Sequence, residues 1–469
     1  MHYIKSFILL FGVIYIGKFI LPSVITLLIC YVLIFITLRK QNPLNPLYWL
    51  FFSWAFLFSN EFSGIIEYKI IGDQLNKTIL LFITSIAVFF MGYFFKSIKN
   101  PYSLNVKDHL RNYFQNSKNK IYLEKIGIVF SYMSLLAFIM LIIEVVIIIG
   151  ADVTNPNLLR QAWNNKEGAT IFGQISSILF AGGYFAVVSF MLFNFRKSIF
   201  FIGILSFALA SVFSAGRQQM FQVILLVFLC ITLRNYLNIP FKIPRKFKMV
   251  FLSSVVLMFG YFIFISSSRN RDERDTRTMM EIFAAVNSFD YSDDFILLTR
   301  NLPPSLNAIT ADMSFYFSHQ THAFAEQLNY ENIYLFDFKP LPILSFIERQ
   351  VDKLILRGET QQERMRKNAE RGLIGYLGST TWKTANISAF RAFGFIGAYI
   401  LIFLHGMLSY RIFSNTILKP KFININLSIA NCLFLFYTIM FPLISETVFL
   451  FYLILIGILF LIKNKKTIA

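Results

Sequence analysis

Residues 198–234 read SIFFIGILSFALASVFSAGRQQMFQVILLVFLCITLR. Two apolar runs, 198–214 and 218–234, are joined by Ser214-Ala215-Gly216-Arg217-Gln218, with Arg196 and Lys197 before the first run and Arg234 closing the second. Each run approaches the ~20 apolar residues that a helix needs to cross a bilayer. Basic residues at both outer flanks hold those two ends on the cytoplasmic side, because short basic loops stay inside. The segment therefore reads as a membrane hairpin, with one cation, Arg217, at the turn on the far side.

The same reading extends over the whole chain of 469 residues. Hydropathy places spans at 3–18, 20–38, 46–60, 78–95, 126–149, 170–193, 198–214, 218–234, 249–267, 392–410, 424–443 and 447–462. That is an all-α polytopic membrane protein with about 12 transmembrane helices. Gly17 and Pro22 favour a tight hairpin between the first two. Both termini then lie in the cytoplasm, and the first apolar run, which lacks a small-residue cleavage site, stays as an anchor. A hydrophobic content of 56%, with 17% aromatic residues, excludes a soluble domain, in which about 45–50% is usual. The net charge of +19 belongs to loops facing anionic headgroups and not to a nucleic-acid partner. Cys30, Cys230 and Cys432 all fall in apolar runs, which gives neither a disulfide framework nor a metal site.

Charge divides the chain into 1–267, a long loop 268–391 and 392–469. The loop carries 15 Lys/Arg against 16 acids, whereas the loops read as cytoplasmic carry Lys and Arg with only Asp108 and Glu124 opposing them. It is too long for a passive connector and is placed outside. Within it, Ser345 and Glu348 form a capping box ahead of a one-sided apolar spacing, which predicts an amphipathic helix.

Arg217 is the sharpest chemical signal. An arginine at that depth costs up to ~3 kcal/mol unless paired or functional, and its forked donors suit phosphate oxygens. The alternative is a side chain snorkelling to the headgroups. Lys383 and Arg391 lie eight residues apart in the entry to the tenth span, so they can share a helical face above Gly394 and Gly397, which permit close packing. Arg160 and Arg271 extend this basic rim. His319 and His322 form a nearby histidine pair, and His319 is a candidate acid/base group. Asp290, Asp293 and Asp294 read as helix N-terminal caps. Glu144 within a span and Glu446 between the last two spans are costly in a membrane and invite a functional reading.

This plan resembles the bacterial oligosaccharide repeat-unit polymerases, the Wzy type of O-antigen or capsule polymerase. The likeness rests on the dozen spans, the late external loop, the Ser/Gly-Arg turn and the Phe393-Gly394-x-x-Gly397 entry after the loop. Ala392 stands where relatives carry an acid before the Phe-Gly step. The resemblance implies a GT-C-like architecture with a large helical periplasmic loop, in the bacterial inner membrane. It implies undecaprenyl-diphosphate-linked oligosaccharides as substrates, held by hydrophobic grooves between spans. It also implies metal-independent glycosyl transfer, no cofactor, and a chain-length regulator in the same membrane. The catalytic set is then Arg217, Arg391, His319 and Glu446, and the diphosphate set Arg217, Lys383, Arg391, Arg160 and Arg271. An O-antigen ligase and a lipid-linked oligosaccharide flippase or transporter are the alternatives.

Overall fold

The structure is a computed structural model describing residues 2–68, 73–99, 106–153, 170–193, 198–213, 218–240, 289–300, 320–329, 385–440 and 446–466, with isolated positions between them. In chain order the elements are α1 (His2–Ile20), α2 (Ser23–Leu38), α3 (Pro46–Phe62), β1 (Ile66–Tyr68), α4 (Asp73–Lys99), α5 (Val106–Gln115) and α6 (Ser117–Ile142). A π-helical turn, Ile143–Ile148, continues α6. Then follow α7 (Ile171–Leu179), α8 (Ala181–Phe193), α9 (Ser198–Phe213), α10 (Gln218–Tyr236), β2 (Phe289–Tyr291) and α11 (Asp293–Arg300). The last are α12 (Gln320–Asn329), α13 (Ala385–Leu418), α14 (Phe422–Tyr437) and α15 (Thr447–Lys466).

The protein is mostly helical. Among the described residues, five segments are long and apolar enough to cross a membrane: Asp73–Ile98, Leu123–Ile148, Ile171–Phe193, Gln219–Tyr236 and Phe393–Leu418. Shorter apolar helices cover His2–Gly17, Ser23–Leu38, Ser198–Phe213, Phe422–Tyr437 and Thr447–Leu461. The expected break between the first two apolar runs falls at Leu21 and Pro22. The expected run 249–267 lies outside the described residues apart from Val256, Gly260 and Tyr261, and the amphipathic helix expected around Ser345 lies wholly outside them.

The helix α3 is buried along its length. Asn45 caps it by accepting from Leu47 N at 3.1 Å, and Pro46 occupies the first turn, where a missing N–H costs nothing. Its side chains are buried on every face, Trp49, Phe51, Trp54 and Phe58 among them, as expected of a helix with no solvent- or lipid-facing stripe. α8 is buried all round in the same way. Lipid tails leave little hydrophobic drive between helices, so van der Waals packing holds them together. Aromatic contacts supply much of it: Phe130 stacks on Phe185 at 4.1 Å and Tyr184 on Tyr452 at 4.6 Å between ring centroids.

The most extensive helix pairing joins α4 to α13. A Cβ at Gly92 would lie 2.1 Å from Phe403 O, and one at Gly406 would lie 2.3 Å from Phe89 O. These two glycines bring the backbones together, which is the close-packing role expected of Gly394 and Gly397. Gly394 does something else. Its φ of 65° and ψ of −177° break α13 near its start, a conformation open essentially to glycine alone.

At one end of the bundle, called the Glu61 end, β1 and β2 pair antiparallel with Ile66 opposite Tyr291 and Tyr68 opposite Phe289. Ile65, Ile66, Phe289, Tyr291 and Phe295 make a small separate core against Val24 and Leu27 of α2. Asp294 fastens it. Its carboxylate accepts from Ser23 Oγ at 2.6 Å and Val24 N at 3.0 Å. Asp294 is thus a helix cap, as the sequence suggested, but it caps α2, some 270 residues earlier in the chain, as well as lying in the first turn of α11.

Candidate functional site

The C-terminal turn of α3 delivers Glu61 to the first turn of α12, where the carboxylate is almost enclosed, 3% exposed. Oε1 accepts from Thr321 N at 2.8 Å, His322 N at 3.2 Å and His322 Nδ1 at 2.8 Å, and Oε2 accepts from Thr321 Oγ1. The unpaired N–H groups and the dipole of a helix N-terminus favour an anion there. His322 is itself buried, 6% exposed. A carboxylate can only accept, so Nδ1 donates in this pair and Glu61 fixes the orientation of the ring. Removing one partner of such a buried pair typically costs about 3–5 kcal/mol.

Aromatic rings tie this pair to the entry of α13. Phe324, two residues after His322, stacks on Phe82 of α4 at 5.4 Å and on Phe390 of α13 at 5.8 Å. Arg391 follows Phe390 in the helix, so its backbone stands beside α12. Ala385 N donates to Thr438 O at 2.9 Å, which joins the start of α13 to the end of α14.

A second polar group is buried at the same end. Tyr184 of α8 donates to Gln222 Oε1 of α10 at 2.7 Å. The Gln222 amide nitrogen, also buried, has no acceptor among the described residues. An orphaned buried donor costs about 1–3 kcal/mol unless something supplies the acceptor. Glu446, half-buried, immediately precedes α15: its N donates to Leu443 O at 3.0 Å and its carbonyl accepts from Leu450 N at 2.9 Å. Its carboxylate lies within electrostatic range of the Tyr184 and Tyr437 hydroxyls. Met220 N donates to Ser211 Oγ at 2.8 Å and draws together the helix ends that flank residues 214–217.

The structure therefore brings Glu446 and the backbone of Arg391 to the Glu61 end. Arg217, His319, Lys383, Arg160 and Arg271 lie outside the described residues, as does the side chain of Arg391. Glu144 is fully buried; it accepts from Thr170 N at 3.4 Å and from Thr170 Oγ1, so it meets the start of α7. Among the described residues no group of three His, Cys, Asp or Glu side chains could hold a metal ion.

Between α2 and α3 on one side and α10 on the other runs an aromatic groove. Near the Glu61 end it opens into a cavity of about 530 Å³, lined among others by Leu27, Asn60, Phe221, Phe295 and Phe436. Towards the opposite end it widens to about 820 Å³, with Arg39, Lys40 and Lys107 at its mouth. Tyr31, Phe52, Phe56 and Phe228 line both parts, and Tyr31 donates to Asn60 Oδ1 at 2.8 Å.

Glu61, Thr321, Tyr184 and Gln222 were not singled out in the sequence. Glu61 and Gln222 carried a readable signal, since an acid and an amide closing or opening an apolar run are costly unless partnered. Neither a protein-family model, nor a curated protein, nor a solved structure matches the chain.

Proposed function

We propose that the protein is a polymerase that joins undecaprenyl-diphosphate-linked oligosaccharide repeat units into O-antigen or capsular polysaccharide on the periplasmic face. In this reading it has twelve spans in a GT-C-like arrangement in the bacterial cytoplasmic membrane, with both termini inside and the Glu61 end outside. The observation that carries the chemistry is the buried Glu61–His322 pair, at the end where Glu446 and the backbone of Arg391 also lie.

The acceptor is the non-reducing sugar hydroxyl of one lipid-linked repeat. His322 Nε2 takes its proton while Glu61 holds the ring and stabilises the imidazolium that forms, the role sketched for His319. The acceptor oxygen bonds to the anomeric carbon of the donor glycan as the bond to undecaprenyl diphosphate breaks. The electron pair leaves with the diphosphate. Arg217, with Lys383, Arg391, Arg160 and Arg271, is assigned to that developing charge, and the Gln222 amide to one of the oxygens. The isoprenoid is assigned to the 530 Å³ part of the groove, whose wall, among the described residues, is apolar apart from Tyr31, Asn60 and Thr310. A chain-length regulator in the same membrane is the expected partner.

Deletion of the gene should leave single repeat units on lipid A core or on the cell surface, because flipping and attachment persist. Arg217→Ala should abolish chain extension with protein level and insertion intact, and Arg217→Lys should recover little, since an ammonium cannot reproduce the bidentate fork. Long polymer retained on undecaprenyl diphosphate would replace this reading with a ligase. Loss of all repeats would point to a ligase or flippase.

A further inference from the structure

We propose that the basic end of the groove binds a glycerophospholipid whose headgroup carries net negative charge. Its mouth gathers Arg39 and Lys40, which follow α2, and Lys107 of α5, and no Asp or Glu is among the described residues lining the cavity. Lys107 is a positioned cation: its Nζ stands 5.9 Å from the Tyr236 ring centroid and 3.1 Å from the Asn238 side-chain oxygen once that amide is turned to satisfy both of its neighbours. Asp108, beside Lys107 on α5, is exposed and outside the lining. Behind these cations the wall turns apolar, with Phe35, Phe228 and Ile231 exposed at 65%, 45% and 38%. A cationic mouth over an apolar trough suits an amphiphile better than a free phosphate, and basic pockets between membrane helices are established headgroup sites. The volume of about 820 Å³ lies within the ~300–1,000 Å³ range of ligand cavities.

Position separates this occupant from the proposed substrate. Residues 221 to 236 of α10 span about 20 Å at 1.5 Å per residue, so a lipid whose phosphate rests on Arg39 and Lys107 cannot present a sugar to His322. The inference holds whether or not the protein is a polymerase. A zwitterionic headgroup would bring its ammonium against three cations, so the charge, and not the tail, sets the choice.

The test uses the full chain purified in mild detergent, with phosphatidylglycerol, phosphatidylethanolamine or undecaprenyl phosphate added at equal mole fraction. Retained lipid is read by native mass spectrometry and by the thermal midpoint. Phosphatidylglycerol should be retained preferentially and should raise the midpoint. Three near-surface basic residues, each worth about fivefold, make its apparent affinity for Arg39→Gln/Lys40→Gln/Lys107→Gln on the order of a hundredfold weaker. The control Arg411→Gln/Lys419→Gln/Lys421→Gln removes the same charge from exposed positions at the same end of the bundle and should keep wild-type retention. Phe228→Trp, which fills the trough and leaves the cations in place, should also reduce retention. Equal loss in the control, equal retention of phosphatidylethanolamine, or preferential retention of undecaprenyl phosphate would each overturn the proposal.

Discussion

The two ends of the bundle treat helix termini in opposite ways. At the Glu61 end, acids accept from helix N-termini: Glu61 from Thr321 and His322 of α12, Asp294 from Val24 of α2, and Glu144 from Thr170 at the start of α7. At the other end, bases donate to C-terminal carbonyls. Arg234, 3% exposed, donates through Nη1 to Met191 O and Leu192 O of α8, each at 3.0 Å, and through Nη2 to Pro240 O. His109 Nδ1 donates to Ile417 O of α13 at 2.9 Å. An antiparallel bundle presents N- and C-termini at both ends, so either end could have used either device. The charge asymmetry of the loops therefore continues inside the protein, where macrodipoles reward it. Acids that complete helix ends are stabilised there by the N–H donors and the macrodipole, and one of them, Glu61, lies beside His322 and orients its ring.

The largest effect should come from the Glu61 pair. Glu61→Gln and His322→Ala are each expected to reduce chain extension on the order of a hundredfold or more, the usual worth of a general base, read as polymer against single repeats at matched protein level. A well-expressed Glu61→Gln strain with normal polymer would reduce this acid to a cap for α12 and erase the functional side of the contrast. At the opposite end Arg234→Met should act on stability alone. It strands carbonyls of α8 and should lower the unfolding free energy by about 2–4 kcal/mol, with extension per folded molecule unchanged; extension lost in proportion to Glu61→Gln would show that both ends serve the reaction. Gly394→Ala forces an L-residue into the break of α13, at a cost of about 1–3 kcal/mol, measured as a lowered thermal midpoint. An unchanged midpoint would mean that α13 can run straight through that position.

The smallest effect is one of pH. Burial alone would raise the Asp294 carboxyl, but hydrogen bonds from Ser23 Oγ, Val24 N, Ser292 Oγ and Phe295 N outweigh it and hold it below the ordinary carboxylate range. A depressed folded-state pKa contributes stability that is fully present above the ordinary value of about 3.9 and is lost as pH falls through the lower folded value. Solvent screening keeps the contribution to a few tenths of a kcal/mol. Hydrogen exchange of the β1–β2 amides should quicken at acid pH in the native protein, beyond the intrinsic pH effect, and Asp294→Asn should remove most of that excess; an identical pH profile in the variant would detach the carboxylate from the sheet's stability.

Much of the helical plan is legible because it follows from composition over windows of about 20 residues. The runs 198–214 and 218–234 appear as α9 and α10 nearly to the residue, since charges and glycine mark their ends. α13 begins earlier and ends later than the apolar run 392–410, because polar turns at both ends continue the helix without contributing hydropathy. The site was less legible. Glu446 and Arg391 stood out as charges beside apolar runs, but Glu61 acquires meaning only from Thr321 and His322, which lie 260 and 261 residues further along. Periodicity reports which face of a helix is apolar and is silent on which distant helix meets it. The break at Gly394 is equally invisible, as a glycine in an apolar run serves close packing and kinking alike.

The π-helical turn at Ile143–Ile148 has a consequence in the arithmetic of the chain. Ile149 N reaches back five residues to Glu144 O at 3.0 Å, one residue more than an α-helix uses. Such a turn is equivalent to a single inserted residue, and each residue of an α-helix turns it by about 100°. Deleting one residue from the turn would therefore return the stretch to regular winding with both flanks in register, whereas deleting one from the α-helical turns before it, which hold no spare residue, would swing Glu144 by that angle relative to the start of α6 and part it from Thr170 with hardly any change in hydropathy. The position of this carboxylate is recorded in the number of residues along α6, and in a comparison of related chains a one-residue gap there would say more than many substitutions.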